Sequence, residues 1–204
     1  MKTLKLCSII FTFFALITST NTYAQPESAN NTNGTKKESK VKNTSTGDYF
    51  MTRYYELRDT YPLLTKLHGP YAACSYDKTK FIERYNEIKA VYPRLTTVFG
   101  NYAGSKYTLV EFIKRYYEIK DTYPALTTYY GHYAGCNHTM VEFIERLNEI
   151  KASAHDLLAF HGQYAASNNT LPEFSTRFYG VKDGNTGMKN CFGEYAASTK
   201  QLAE

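Results

Sequence analysis

Tyr55 and Asp59 stand four residues apart, and the same pair returns as Tyr117 with Asp121 and as Tyr179 with Asp183. Four residues is about one helical turn, so each pair shares one side of a helix. Tyrosine offers broad contact area, low entropy loss on ordering and a hydroxyl, and the aspartate beside it adds a charged acceptor. Repeated along one face, these six residues are the binding site that the sequence suggests. The competing expectation is a trace of duplication on a solvated face.

Other residue types capable of chemistry are scattered. Arg53, Arg84, Arg115, Arg146 and Arg177 recur at one spacing, with Glu56, Glu87, Glu118 and Glu149 three residues after the first four. Glu111, Glu142 and Glu173 precede the last three by four residues. Those offsets predict a ladder of ion pairs along helices, with anion binding by an arginine row as the rival. His68 and His161 share a register position that Phe99, Tyr130 and Phe192 hold elsewhere, so they read as aromatic substitutes. His132 and His138 flank a turn. The chain contains no HExxH, GxSxG, phosphate-binding loop or Cys/His pair with an orienting carboxylate. The expectation is a non-enzymatic protein with no catalytic residue, no metal and no cofactor.

The elements that must position these residues come from a repeat. Phe50, Phe81, Phe112, Phe143 and Phe174 recur at a step of 31 residues, giving copies 50–80, 81–111, 112–142, 143–173 and 174–204. Counting Phe as position 1, arginine fills position 4, glycine position 20 (Gly69, Gly100, Gly131, Gly162, Gly193) and tyrosine position 22 (Tyr71, Tyr102, Tyr133, Tyr164, Tyr195). A fixed period of this length marks stacked repeats. Thr108 with Glu111, Thr139 with Glu142 and Thr170 with Glu173 are capping boxes that start helices. Phe112, Tyr116, Ile119 and Tyr123 then form one apolar stripe, and Pro124 fits the first turn of a second helix. Gly135 closes the unit.

The fold class predicted is all-α: five tandem 31-residue helix-turn-helix repeats forming a short α-solenoid or helical array. In general design this resembles the tetratricopeptide class, although the period is not 34 and the W-x2-L-G-x2-Y pattern is absent. Glycine inside the second helix costs about 1 kcal/mol against alanine, so close approach between neighbouring units must offset it. Most of the 20 tyrosines fall at positions 5, 12 and 22 and read as core aromatics. The degenerate fifth copy, with Gly180, Gly184 and Gly187, reads as a terminal cap. Positions 6 and 10 alternate between odd and even copies, and position 25 nearly does, which suggests that a 62-residue double unit was duplicated.

Residues 1–24 combine Lys2 and Lys5 with the short apolar run CSIIFTFFALI and a Tyr-Ala-Gln boundary. They read as a secretory signal peptide cleaved after Ala24, too short for a membrane span. Cleavage removes two lysines and no acid, taking the net charge from +5 to about +3. Such a mild, interspersed charge implies no nucleic-acid partner. Residues 25–46 have almost no large apolar side chain and read as a disordered polar linker ahead of a helical domain at 47–204. Sequons lie at Asn30, Asn33, Asn43, Asn137 and Asn168, glycan acceptors only in a eukaryotic secretory pathway. Cys74, Cys136 and Cys191 read as semi-buried thiols, with one disulfide plus one free thiol as the alternative.

The localisation expected is secreted or periplasmic, without a transmembrane segment. The function expected is an exported interaction module that binds a protein or peptide through a repeat-built helical surface. The alternative is a carrier of a small apolar ligand such as a porphyrin, held in a Tyr/His-rich groove by a Tyr or His axial ligand. An internal pocket lined by His68, His132 or His161 would favour it. A wall- or surface-associated structural protein is a third reading.

Overall fold

The computed structural model describes residues 49–203, so the segments expected to be a signal peptide and a linker, with Asn30, Asn33 and Asn43, lie outside the described residues. Among the described residues the fold is all-α, with ten α-helices and no strand. Five outer helices are α1 (Phe50–Thr60), α3 (Lys78–Val91), α5 (Leu109–Thr122), α7 (Met140–Ser153) and α9 (Leu171–Gly184). Each packs on the short helix that follows it: α2 (Thr65–Ala73), α4 (Phe99–Gly104), α6 (Tyr130–Gly135), α8 (His161–Ala166) and α10 (Phe192–Ala197). None of these helices is long and apolar enough to cross a membrane.

Helix starts follow the side chains. The Thr108, Thr139 and Thr170 capping boxes form as the sequence predicts, with each glutamate accepting from the threonine backbone N–H. These bonds to Thr hold the Glu111, Glu142 and Glu173 carboxyls below the usual range. The prolines sit differently from the expectation. Pro62, Pro93 and Pro124 occupy the connecting turn rather than a helical first turn. The residue before each proline is pushed out of the helical region, as at Tyr123 (φ −131°, ψ 68°), so the outer helix stops there. In all but the first pair a 3-10 turn then leads into the inner helix.

The arrangement closes on itself. Helix α2 contacts α4, α4 contacts α6, α6 contacts α8 and α8 contacts α10, and α10 in turn contacts α2. The contacts that join neighbours also make the closure. Phe81 meets Tyr71, Phe112 meets Tyr102, Phe143 meets Tyr133 and Phe174 meets Tyr164 edge-on, and Phe50 meets Tyr195 in the same way at 5.3 Å. Backbone bonds from Phe50 N to Gln201 O (2.9 Å) and Met51 N to Leu202 O (3.0 Å) seal the seam. The fifth copy is therefore no free end cap: its inner helix has a partner on both sides.

The arginines do not form the ion-pair ladder. Each turns inward, stacks at 4.3 Å on the position-22 tyrosine of its own copy, and donates to that tyrosine's carbonyl. Further bonds from Arg84 reach Ala103 O, Ser105 Oγ and Tyr107 O, so one guanidinium satisfies the open C-terminal end of α4. A planar fork of donors is suited to several carbonyls at once, and helix carbonyls out-compete a solvated carboxylate four residues away. The position-7 glutamates instead accept from the tyrosine hydroxyls: Tyr71 to Glu56 at 2.5 Å, Tyr133 to Glu118 at 3.0 Å, and likewise Tyr102 to Glu87 and Tyr164 to Glu149. Burial, and then these bonds, push the phenols up, that of Tyr133 to about 12.

Position-22 tyrosines are buried, as expected of core aromatics. Position 12 is not core: Tyr61 and Tyr123 are exposed, because they cap the outer helix where the chain leaves it. Cys74, Cys136 and Cys191 are free, buried thiols.

Candidate functional site

The six residues of the Tyr/Asp pattern all lie on outer helices. Asp59, Asp121 and Asp183 are exposed, as is Tyr117, while Tyr55 and Tyr179 are partly buried. Local partners absorb much of them. Arg58 stacks on Tyr55 at 4.3 Å and pairs with Asp59 at 2.8 Å, and the Tyr179 hydroxyl donates to Asp156. Closure also breaks the alternation, since the first and fifth copies, both of the Tyr/Asp kind, become neighbours. Tyr179 finds Asp156 rather than Asp183, and the three pairs are not assembled into one site. Tyr179 also borders a surface depression of about 480 Å³ with Phe160, Phe178 and Phe192.

The five inner helices converge elsewhere. An open cavity of about 220 Å³ lies between them, lined by residues of all five sequence copies. Position 21 contributes Pro70, Asn101, His132, Gln163 and Glu194, and position 25 contributes Cys74, Ser105, Cys136, Ser167 and Ser198. Position 24 is Ala or Gly throughout, which keeps the space open. Each position-21 side chain lies over the position-20 glycine of the next inner helix. A Cβ on Gly100 would meet Pro70 at 2.9 Å, on Gly131 Asn101 at 2.8 Å, on Gly162 His132 at 2.5 Å, and on Gly193 Gln163 at 3.2 Å. On Gly69 it would meet Glu194 at 3.2 Å, across the seam. The helical glycines thus serve close approach, as their cost in the sequence implies.

Asn101 Nδ2 lies 3.4 Å from His132 Nδ1, and Gln163 Nε2 donates to Glu194 Oε1 at 3.5 Å. If the Asn101 amide donates, the proton of the neutral imidazole sits on Nε2. Burial alone pulls the His132 pKa down to about 4, so the ring is neutral at pH 7. Burial pushes the Glu194 carboxyl up. The position-25 hydroxyls of Ser105, Ser167 and Ser198 donate back to tyrosine carbonyls at 2.9 Å. Chemically the site can offer hydrogen bonds of both polarities and one carboxyl group. Among the described residues, no group of three or more His, Cys, Asp or Glu side chains could hold a metal ion.

The other buried histidines stay outside the cavity. His68 Nε2 lies 3.0 Å from Tyr61 O, and its ring meets Tyr54 edge-on as Phe99 meets Tyr85. His161 is also buried. Sequence reasoning missed position 21 although a signal was present. In the stretch G-x-Y-A the one varying residue differs in all five copies, between a fixed glycine and a fixed tyrosine.

Compared with protein-family models, curated proteins and solved structures, the chain matches none.

Proposed function

We propose that the protein is an exported, non-enzymatic binding module that takes a small molecule at the axis of five tandem 31-residue helix-turn-helix units. The observation that carries this reading is the convergence of five unlike position-21 side chains on one cavity. A scaffold role asks for the same residue in each unit, and the glycine, arginine and tyrosine positions have that uniformity. Five different side chains around one axis make an asymmetric surface, which suits a ligand held in one orientation.

Size limits the ligand. Drug-sized sites run to roughly 300–1,000 Å³, and this cavity is smaller, at about 220 Å³. A porphyrin or a peptide helix therefore has no seat at the axis, and a molecule of a few heavy atoms fits better. A protein partner would have to use the outer face, where the Tyr/Asp pairs are largely engaged with their own neighbours.

Thermal unfolding by circular dichroism, with and without a panel of small polar compounds, tests the reading. A ligand at about 100 times its Kd adds roughly 2.7 kcal/mol, a rise of several degrees. Support is a rise that Ala166→Leu, which fills the cavity wall, removes, and that joint replacement of Tyr55, Tyr117 and Tyr179 leaves intact. A rise removed by the tyrosine replacements and kept in Ala166→Leu would restore the outer face as the site.

A further inference from the structure

We propose that the ligand of the axial cavity is a small organic cation of the alkylammonium class, seated against Glu194. This rests on the small-molecule reading of that cavity and adds the charge of its occupant. Of the residues lining the cavity, Glu194 is the only one with an acidic carboxyl, and no lysine or arginine is among them. Beyond its own backbone N–H, the Glu194 carboxyl has one side-chain hydrogen-bond partner, Gln163 at the long distance of 3.5 Å. Elsewhere in this fold the glutamates are better served: Glu56 and Glu118 each accept a tyrosine hydroxyl, and Glu111 and Glu142 each accept two bonds from a capping threonine.

A partly buried carboxyl lacking a cationic neighbour gains more from an incoming cation than a fully solvated one does, because the attraction acts in a medium of lower dielectric. The surroundings agree. Helix α8 presents Gln163 to it, α2 presents Gly69, and the residue just before α10 adds the neutral thiol of Cys191. The carbonyl oxygen of the neighbouring Gln163 amide supplies an acceptor for a further N–H group of an ammonium. The guanidinium groups of Arg84, Arg146 and Arg177 stand behind the serine hydroxyls, as those of Arg53 and Arg115 stand behind Cys74 and Cys136, and all five are engaged with carbonyls. They make the position-25 end the more positive one, which favours a compact cation that reaches Glu194 over a bulky one.

Calorimetric titration of the protein with ethylammonium, and separately with acetate and urea, is the test. Ethylammonium binding that weakens about tenfold or more in Glu194→Gln, with no binding of acetate, is the expected result. The wild-type comparison among the three probes stands even if that variant fails to fold. Unchanged ethylammonium affinity in folded Glu194→Gln overturns the proposal. Binding of acetate or urea without ethylammonium also overturns it, yet leaves the cavity as a small-molecule site. If none of the three binds, the cation proposal fails, and the compound panel with Ala166→Leu decides the broader reading separately.

Discussion

His132 lies over Gly162 so closely that a Cβ added to the glycine would sit 2.5 Å from the imidazole Cδ2. Two neighbouring inner helices are held at this distance because one presents no side chain. Gly162→Ala therefore has to displace His132 or part α6 from α8, at a cost of about 1–3 kcal/mol. Gly180, inside α9, has nothing within 4 Å of the same added atom. Gly180→Ala should instead stabilise by about 0.5–1 kcal/mol. Urea unfolding of both variants checks the contrast, and equal effects would sink the close-approach account.

Much of this was legible in the sequence, and the illegible part has a single cause. Capping boxes and outer helices follow from local spacing, because their partners lie within one or two turns, and the buried tyrosines follow from the fixed period. The arginine network did not follow: Arg84 satisfies carbonyls 18 to 23 residues ahead, so reading it against Glu87 chose the nearer partner over the correct one. Closure was further out of reach. A period says that each unit packs on the next, but whether the last returns to the first depends on the angle between units. The cavity exists only because of that return, so position 21 looked like noise within a fixed motif.

Arg84→Lys removes the fork but keeps the charge. Lysine has no guanidinium to bridge Tyr102 O, Ala103 O and Tyr107 O together, so some buried carbonyls lose their donor. A loss of about 2–3 kcal/mol is expected, read as a lower urea midpoint with the helical content intact. Glu87→Gln, on the solvated side, should cost less than half as much.

Stability should fall as the pH is lowered from about 6.5 toward 4, the interval between the ordinary histidine value and that of folded His132. In that window the unfolded chain takes up a proton that the folded imidazole refuses, so acid favours unfolding. Asn101 faces the ring from α4 and Gly162 from α8, and neither titrates. The full contribution is on the order of 3 kcal/mol. Glu194 works in the opposite sense, since a raised carboxyl takes up its proton earlier in the folded state. Burial also lowers His161, which acts in the same sense, so His132→Gln should make the profile shallower between pH 6.5 and 4, and an unchanged slope would assign the acid sensitivity elsewhere.

The three thiols should resist alkylation until the structure opens. All are buried, and burial pushes the Cys191 thiol to about 12, with the Glu194 charge adding to the shift. The thiolate is the reactive form, so both its fraction and its access are low. Iodoacetamide labelling followed by mass spectrometry should show little modification of Cys74, Cys136 or Cys191 in the native protein. Rapid labelling of Cys191 alone would mean that the seam breathes.

The seam is the place to test closure directly. Gln201 and Leu202 accept backbone bonds from Phe50 and Met51, and Leu202 packs on the cluster that includes Phe50 and Tyr195. Removing residues 201–204 takes away both bonds and that side chain while leaving Arg177 its bond to Lys200 O. If the ring is the stable form, the loss should be about 2–3 kcal/mol, two backbone bonds plus one partly buried leucine. Cys191, whose Cβ lies beside Gly69 across the seam, should then label faster than Cys74 or Cys136. An open stack predicts otherwise: a terminal tail without a partner could be removed at no cost, and Cys191 would be reactive from the start.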